Sequence, residues 1–147
     1  MEYTTNLNLK KPDVNEYYNI EQENENKDLI DSAIGELNKN LKTENITIYP
    51  ASDKIIINRN NSKITGKRIN LNLIISSTEQ IYHNDPLVLF NGYISDGIYD
   101  LPIVYDRTNI AQAYVGNNTS SIQYSTKQSV VIPANANILI TGTIYIK

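Results

Sequence analysis

A chain of 147 residues without cysteine has room for one domain and a short appendage, and for neither a disulfide framework nor a thiolate zinc site. The net charge of −3 is divided: residues 1–44 carry ten acidic and five basic side chains, residues 45–147 six and eight, and neither part holds the one-faced Lys/Arg stripe that nucleic acid requires. The start lacks a secretory apolar core and no apolar run approaches the roughly 20 residues of a membrane span, so a protein made in the cytoplasm, without membrane insertion, is expected.

Residues 1–23 come first. From Tyr3 to Pro12 apolar and polar residues alternate until the proline, a pattern that predicts an extended arm or short edge strand. Leu7, Leu9, Tyr17 and Ile20 are more apolar than a free tail requires, which makes them the expected attachment residues.

Residues 24–44 predict a helix that begins at Asn24 or Asn26 and runs to about Lys42. Glu25, Asp28 and Asp31 suit the positive end of its dipole, and Lys39 and Lys42 the negative end. Ile30, Ile34, Leu37 and Leu41 recur at the a/d spacing of a coiled coil, widened by Leu29 and Ala33. This seam is the expected oligomer interface, of a trimer or a dimer. The alternative is packing against the β part of the same chain. At under two heptads the seam is too short to hold a coil alone, so the β domains must share the work.

Residues 45–147 read as β throughout. Candidate strands are Ile46–Tyr49, Lys54–Asn58, Lys67–Ser76, Leu87–Ser95, Leu101–Tyr105, Ala111–Val115, Ser121–Ser125, Ser129–Ile132 and Ile138–Ile146. Turn residues fill the gaps, as in Asp96-Gly97 and Gly116-Asn-Asn118. Ile69, Leu71, Leu73 and Ile75 alternate cleanly onto one face, and Gly142 in the last strand marks a bulge or a close backbone approach. The expected fold class is therefore mainly β: an arm and a short amphipathic helix followed by an antiparallel β-sandwich head, trimeric in the assembled protein.

Catalytic chemistry finds little support. His83 is the sole histidine and sits in a turn, where it reads as a solvated group rather than a base. Asp96, Asp100 and Asp106 allow a glycosidase-like pair or a calcium site to be imagined, but lack the EF-hand pattern and read as turn chemistry. No catalytic residue, metal or cofactor is expected. Tyrosines beside loops fit recognition of a saccharide better, and Tyr82, Tyr99, Tyr114 and Asn117 are the candidate receptor-binding residues. The competing reading makes them ordinary half-buried sheet residues.

The order of features at the N-terminus, an Asn/Leu arm ending in Lys-Lys-Pro12, then Asp13-Val-Asn-Glu-Tyr-Tyr-Asn-Ile20, then Asn24-Glu-Asn-Lys-Asp-Leu-Ile-Asp-Ser-Ala-Ile34, resembles the start of tail-fibre and baseplate proteins of phages and phage-tail-like bacteriocins of low-GC Gram-positive bacteria. The stretch from Val131 to Ile146 is similar to the closing hairpin of their heads. The resemblance implies a virion or tail-like particle component whose N-terminal segment docks on other tail or baseplate proteins. Its β head would bind a bacterial surface glycan or protein. A purely structural particle component, a lectin-like module and a small carbohydrate-active enzyme are the alternatives.

Overall fold

The computed structural model describes residues 2–11, 19–125 and 130–147, in two compact units, Met1–Lys42 and Thr43–Lys147.

In the first unit β1 (Glu2–Tyr3) and β2 (Lys10–Lys11) pair antiparallel. The stretch expected to run extended instead folds back on itself. Thr4 closes the turn: its amide donates to the Leu9 carbonyl at 2.9 Å, and its Oγ1 accepts from the Leu9 amide at 2.9 Å. Asn8 takes the left-handed conformation (φ 51) that asparagine tolerates.

Helix α1 (Ile20–Leu41) starts earlier than the expected Asn24 or Asn26. Asn19 is the cap, its side chain accepting from the Glu21 and Gln22 amides, and Glu21 and Glu23 fill the first turn. Asn26 is used differently. Its carboxamide accepts from the Lys10 amide at 2.9 Å and donates to the Lys10 carbonyl at 2.8 Å, so it pairs with β2 as a strand residue would. The Lys10 ammonium also pairs with Glu25, which raises the lysine pKa, the hydrogen bond being the largest cause. No described side chain of α1 is buried.

The second unit is mainly β. Its strands are β3 (Thr43–Asn45), β4 (Tyr49–Pro50), β5 (Ile55–Asn60), β6 (Lys63–Thr65), β7 (Arg68–Ser77), β8 (Pro86–Leu89), β9 (Tyr99–Tyr105), β10 (Asn109–Val115), β11 (Ser121–Tyr124) and β12 (Ile138–Tyr145). They form one antiparallel sheet in the order β3-β6-β7-β12-β9-β10-β11-β8-β4, with β5 on the same edge of β7 as β6.

That order forces the sheet to curl. Along the sheet β4 and β5 are seven strand steps apart, about 34 Å at ~4.8 Å per step. Only residues 51–54 connect them in sequence, a reach of at most roughly 18 Å. A flat sheet cannot satisfy both, so its two margins are drawn together.

The curl encloses Ile69, Leu73 and Ile75 of β7, Ile138, Ile140 and Ile144 of β12, Leu101 and Ile103 of β9 and Ile122 of β11, none more than 1% exposed. The β10 positions between β9 and β11 are small: Ala113 lies opposite both Leu101 and Tyr124, a large–small alternation that lets a tight curl close. Gly142 is a close approach rather than a bulge. Its pairing with β7 runs unbroken through Gly142↔Leu71, while a Cβ built on it would lie 2.6 Å from Leu101 Cδ2. Leu101 occupies the space that a side chain at 142 would take.

Several strands differ from expectation. The expected Leu87–Ser95 strand stops at Leu89, because the Phe90 carbonyl accepts from the Tyr93 amide at 3.2 Å in a turn where Gly92 (φ 89) reverses the chain. Ile46–Tyr49 is not one strand: Ile46 and Ile48 are buried between β3 and β4. Strand β6 was not expected; Gly66 (φ 56) and Lys67 join it to β7 in a two-residue hairpin loop. Of Ser129–Ile132, Ser129 lies outside the described residues, and Ile132 makes a single bridge to Ile81.

Candidate functional site

Three segments meet at the end of the β unit where β9 begins and β10 ends: the loop before β9, the loop after β10, and the chain leaving β12. Ser95 joins the two loops. It is fully buried, its amide donates to the Thr119 carbonyl at 2.9 Å, its carbonyl accepts from the Asn118 amide at 3.2 Å, and its Oγ donates to the Gly116 carbonyl. The end of β12 is tied in by Asp96 N–H to the Tyr145 carbonyl and Lys147 N–H to the Ile94 carbonyl, both 3.0 Å.

On this frame stands a pair of aromatic rings. The Tyr99 and Tyr145 centroids are 6.2 Å apart, tilted by 41°, within the range in which aromatic pairs attract. Gly97 lies against Tyr99: a Cβ there would sit 3.3 Å from the Tyr99 hydroxyl oxygen. That hydroxyl donates to the Asp96 carboxylate. The bond to Asp96, followed by desolvation, pushes the Tyr99 pKa up, so the phenol stays a neutral donor. Lys147 Nζ donates to Asn118 Oδ1. Ile98 (73% exposed), Ile94 (49%) and Tyr145 (46%) face solvent around the pair.

Of the candidate receptor residues, the fold brings Tyr99 and Asn117 to this end. Tyr114 stands on the outward sheet face next to it, cross-strand from Asp100, with its hydroxyl 2.5 Å from Gln123 Oε1. Tyr82 lies at the opposite end of β11, its amide held by Asp85 Oδ2 and its hydroxyl by Gln80 Oε1, both at 2.7 Å. Tyr145 and Lys147 were not singled out from sequence. An aromatic residue at a polar-face position of the last strand is the signal that could have found Tyr145.

Of the expected attachment residues, Leu7 and Ile20 are exposed (39% and 62%) and Leu9 is half-buried; Tyr17 lies outside the described residues. The seam residues Ile30, Ile34, Leu37 and Leu41 are 37%, 50%, 57% and 64% exposed.

Asp100 and Asp106 are too far apart to act as a hydrolytic pair. Asp100 is in β9 and Asp106 follows its far end, so six extended steps separate them by roughly 20 Å, well beyond the ~5–10 Å of glycosidase pairs. Among the described residues no three His, Asp or Glu side chains converge to hold a metal. His83 is exposed in its turn. No described helix is long and apolar enough to cross a membrane.

A second surface feature lies on the outward sheet face. Ile74, Leu139 and Val104 form one cross-strand row over β7, β12 and β9. With Asp106, Arg107 and Asn137 they line an open groove of about 870 Å³. Arg107 holds φ 69, a left-handed conformation that costs energy for a residue other than Gly, Asn or Asp.

Compared with known protein families, curated proteins and solved structures, the chain finds no match.

Proposed function

We propose that this is a structural and adhesive component of a phage tail or phage-tail-like particle, a tail-fibre or baseplate protein. Its N-terminal segment attaches to other tail proteins, and its β unit binds a host-surface glycan or protein. In this reading three copies associate along α1, the β unit is a sandwich-like head, and its action is binding without a catalytic step.

The observation that carries the reading is the exposed seam of α1. A 22-residue helix with no buried side chain among the described residues lacks the tertiary packing of an amphipathic face from which most helices in proteins draw their stability. Packing three seams together would bury Ile30, Ile34, Leu37 and Leu41, each contributing roughly 1 kcal/mol from its remaining exposed area. Support for recognition comes from the ring pair and exposed isoleucines at one end of the β unit, since clustered exposed apolar groups mark interaction sites. Several copies per particle would multiply a weak single contact.

Sedimentation and cell labelling test this together. The full chain should sediment as a trimer at micromolar concentration, and Leu37→Asp should sediment as a monomer. Residues 43–147 should label host cells more weakly than the full chain. A wild-type monomer with its helix intact would sink the assembly half, and absence of labelling on any host would leave only a particle component that never touches a cell.

A further inference from the structure

We infer that the Tyr99–Tyr145 end of the β unit is a saccharide-binding subsite, with Tyr145 as the stacking platform, Asp96 as the acceptor for sugar hydroxyls, and Asn118 and Lys147 as the polar rim. This rests on the receptor-binding reading above and names the chemistry of its ligand.

A pyranose has C–H-rich faces and a rim of hydroxyls. It therefore needs an exposed aromatic face together with fixed acceptors and donors beside it. All of these are present within three short chain segments. Tyr145 is nearly half exposed at the end of β12, and Tyr99 stands beside it at a 41° tilt, so the two rings form an open V with one face to stack on and one to guide the sugar edge. Asp96 is placed between loop and ring: its amide is fixed to the Tyr145 carbonyl and its carboxylate already accepts from Tyr99. A carboxylate has about four lone-pair sites, so acceptor capacity is left for a ligand. The Asn118 carboxamide is oriented by the Lys147 ammonium, which leaves its NH₂ group outside that bond.

Rigidity and size favour a saccharide over a protein. The buried Ser95 network locks both loops and the end of β12 before any ligand arrives, so little ordering entropy is lost on binding. A stable protein interface needs about 800 Å² and 20–30 residues a side, whereas this platform is two rings wide. A small footprint of this kind suits one sugar unit of a repeating surface polymer, bound weakly and strengthened by many copies.

The test uses the full chain, labelled and bound to a panel of Gram-positive cells that are untreated, periodate-oxidised or protease-treated. In parallel it is titrated with oligosaccharides of glucose, galactose and N-acetylglucosamine. Cell binding should disappear after periodate and survive protease. Tyr145→Ala should lose at least tenfold in apparent affinity, and Tyr145→Phe should stay close to wild type. Tyr49→Ala, which removes an exposed tyrosine on β4, should bind normally. If Tyr145→Ala shifts the thermal midpoint, Asp96→Asn serves in its place, with the same tenfold loss expected. Binding that survives periodate and is lost to protease overturns the saccharide while leaving the receptor reading intact. Normal binding by both Tyr145→Ala and Asp96→Asn overturns the site. Failure to label any cell, with no oligosaccharide bound, overturns both.

Discussion

In the β unit Leu73, Ile75, Ile103 and Ile140 are wholly shielded from water, while in the N-terminal unit Ile34, Leu37 and Leu41 are left half or more exposed. The residue types are the same. What differs is the number of layers: a curled sheet supplies its own opposing face, and a single helix with a two-residue-strand hairpin does not. One unit is therefore held by burial. The other is held by local hydrogen bonds, by Asn19 at the cap and by Asn26 against Lys10, and its apolar seam stays exposed.

The contrast is most easily broken by equal truncations. Leu73→Ala in the sheet core should cost about 3 kcal/mol of unfolding free energy in urea. Leu37→Ala on the helix should cost less than about 1 kcal/mol in dilute chain and should raise the concentration needed for association. Equal losses in the two variants would refute the division.

Gly142→Ala tests how closely the sheet is packed. The added methyl meets Leu101 Cδ2 at 2.6 Å on a backbone with φ 148, so a loss of about 2 kcal/mol is expected. Combined with Leu101→Ala, the two costs should sum to less than their separate values, because the clash is removed. Full additivity would show that Leu101 is not the obstacle.

A smaller effect belongs to the N-terminal unit. Asn26→Ala removes both hydrogen bonds to the Lys10 backbone and should destabilise the hairpin by about 1 kcal/mol. Faster exchange of the Lys10 amide hydrogen would report it, with the unfolding of residues 43–147 unchanged.

The smallest expected effect is at high pH. Because its folded pKa is raised above the ordinary value near 10 by the bond to Asp96, Tyr99 contributes stability that is complete below that value and is lost as pH climbs through the folded one. Asp96→Asn should move the Tyr99 titration back toward the ordinary value in NMR, and an unmoved midpoint would rule out Asp96 as the cause.

Much of the β unit was legible because one face of each long strand is core. Ile69, Leu71, Leu73 and Ile75 alternate in sequence, and all four are buried. Short elements were less legible: Lys63–Thr65 carries a single buried residue, Ile64, too few for a period to show. The helix start was misplaced because three asparagines compete as caps, and only the tertiary bond to Lys10 reveals that Asn26 is otherwise engaged. The candidate site was half visible. Tyr99 and Asn117 lie in turn-rich sequence, whereas Tyr145 reads as an outward strand residue until β12 is placed beside β9. Asp106 looked close to Asp100 only because a strand hides distance in sequence proximity.

The position of β12 also sets an order for synthesis. It is made after β3–β11, yet it sits in the interior of the sheet, pairing with β7 on one side and β9 on the other. Until it emerges, both neighbours present bare strand edges, and the β7 edge must wait for contacts distant in sequence, such as Ile75↔Ile138. A ribosome that stalls before residue 138 releases two open templates for aggregation, so completing β12 is the step that guards this sheet against aggregation.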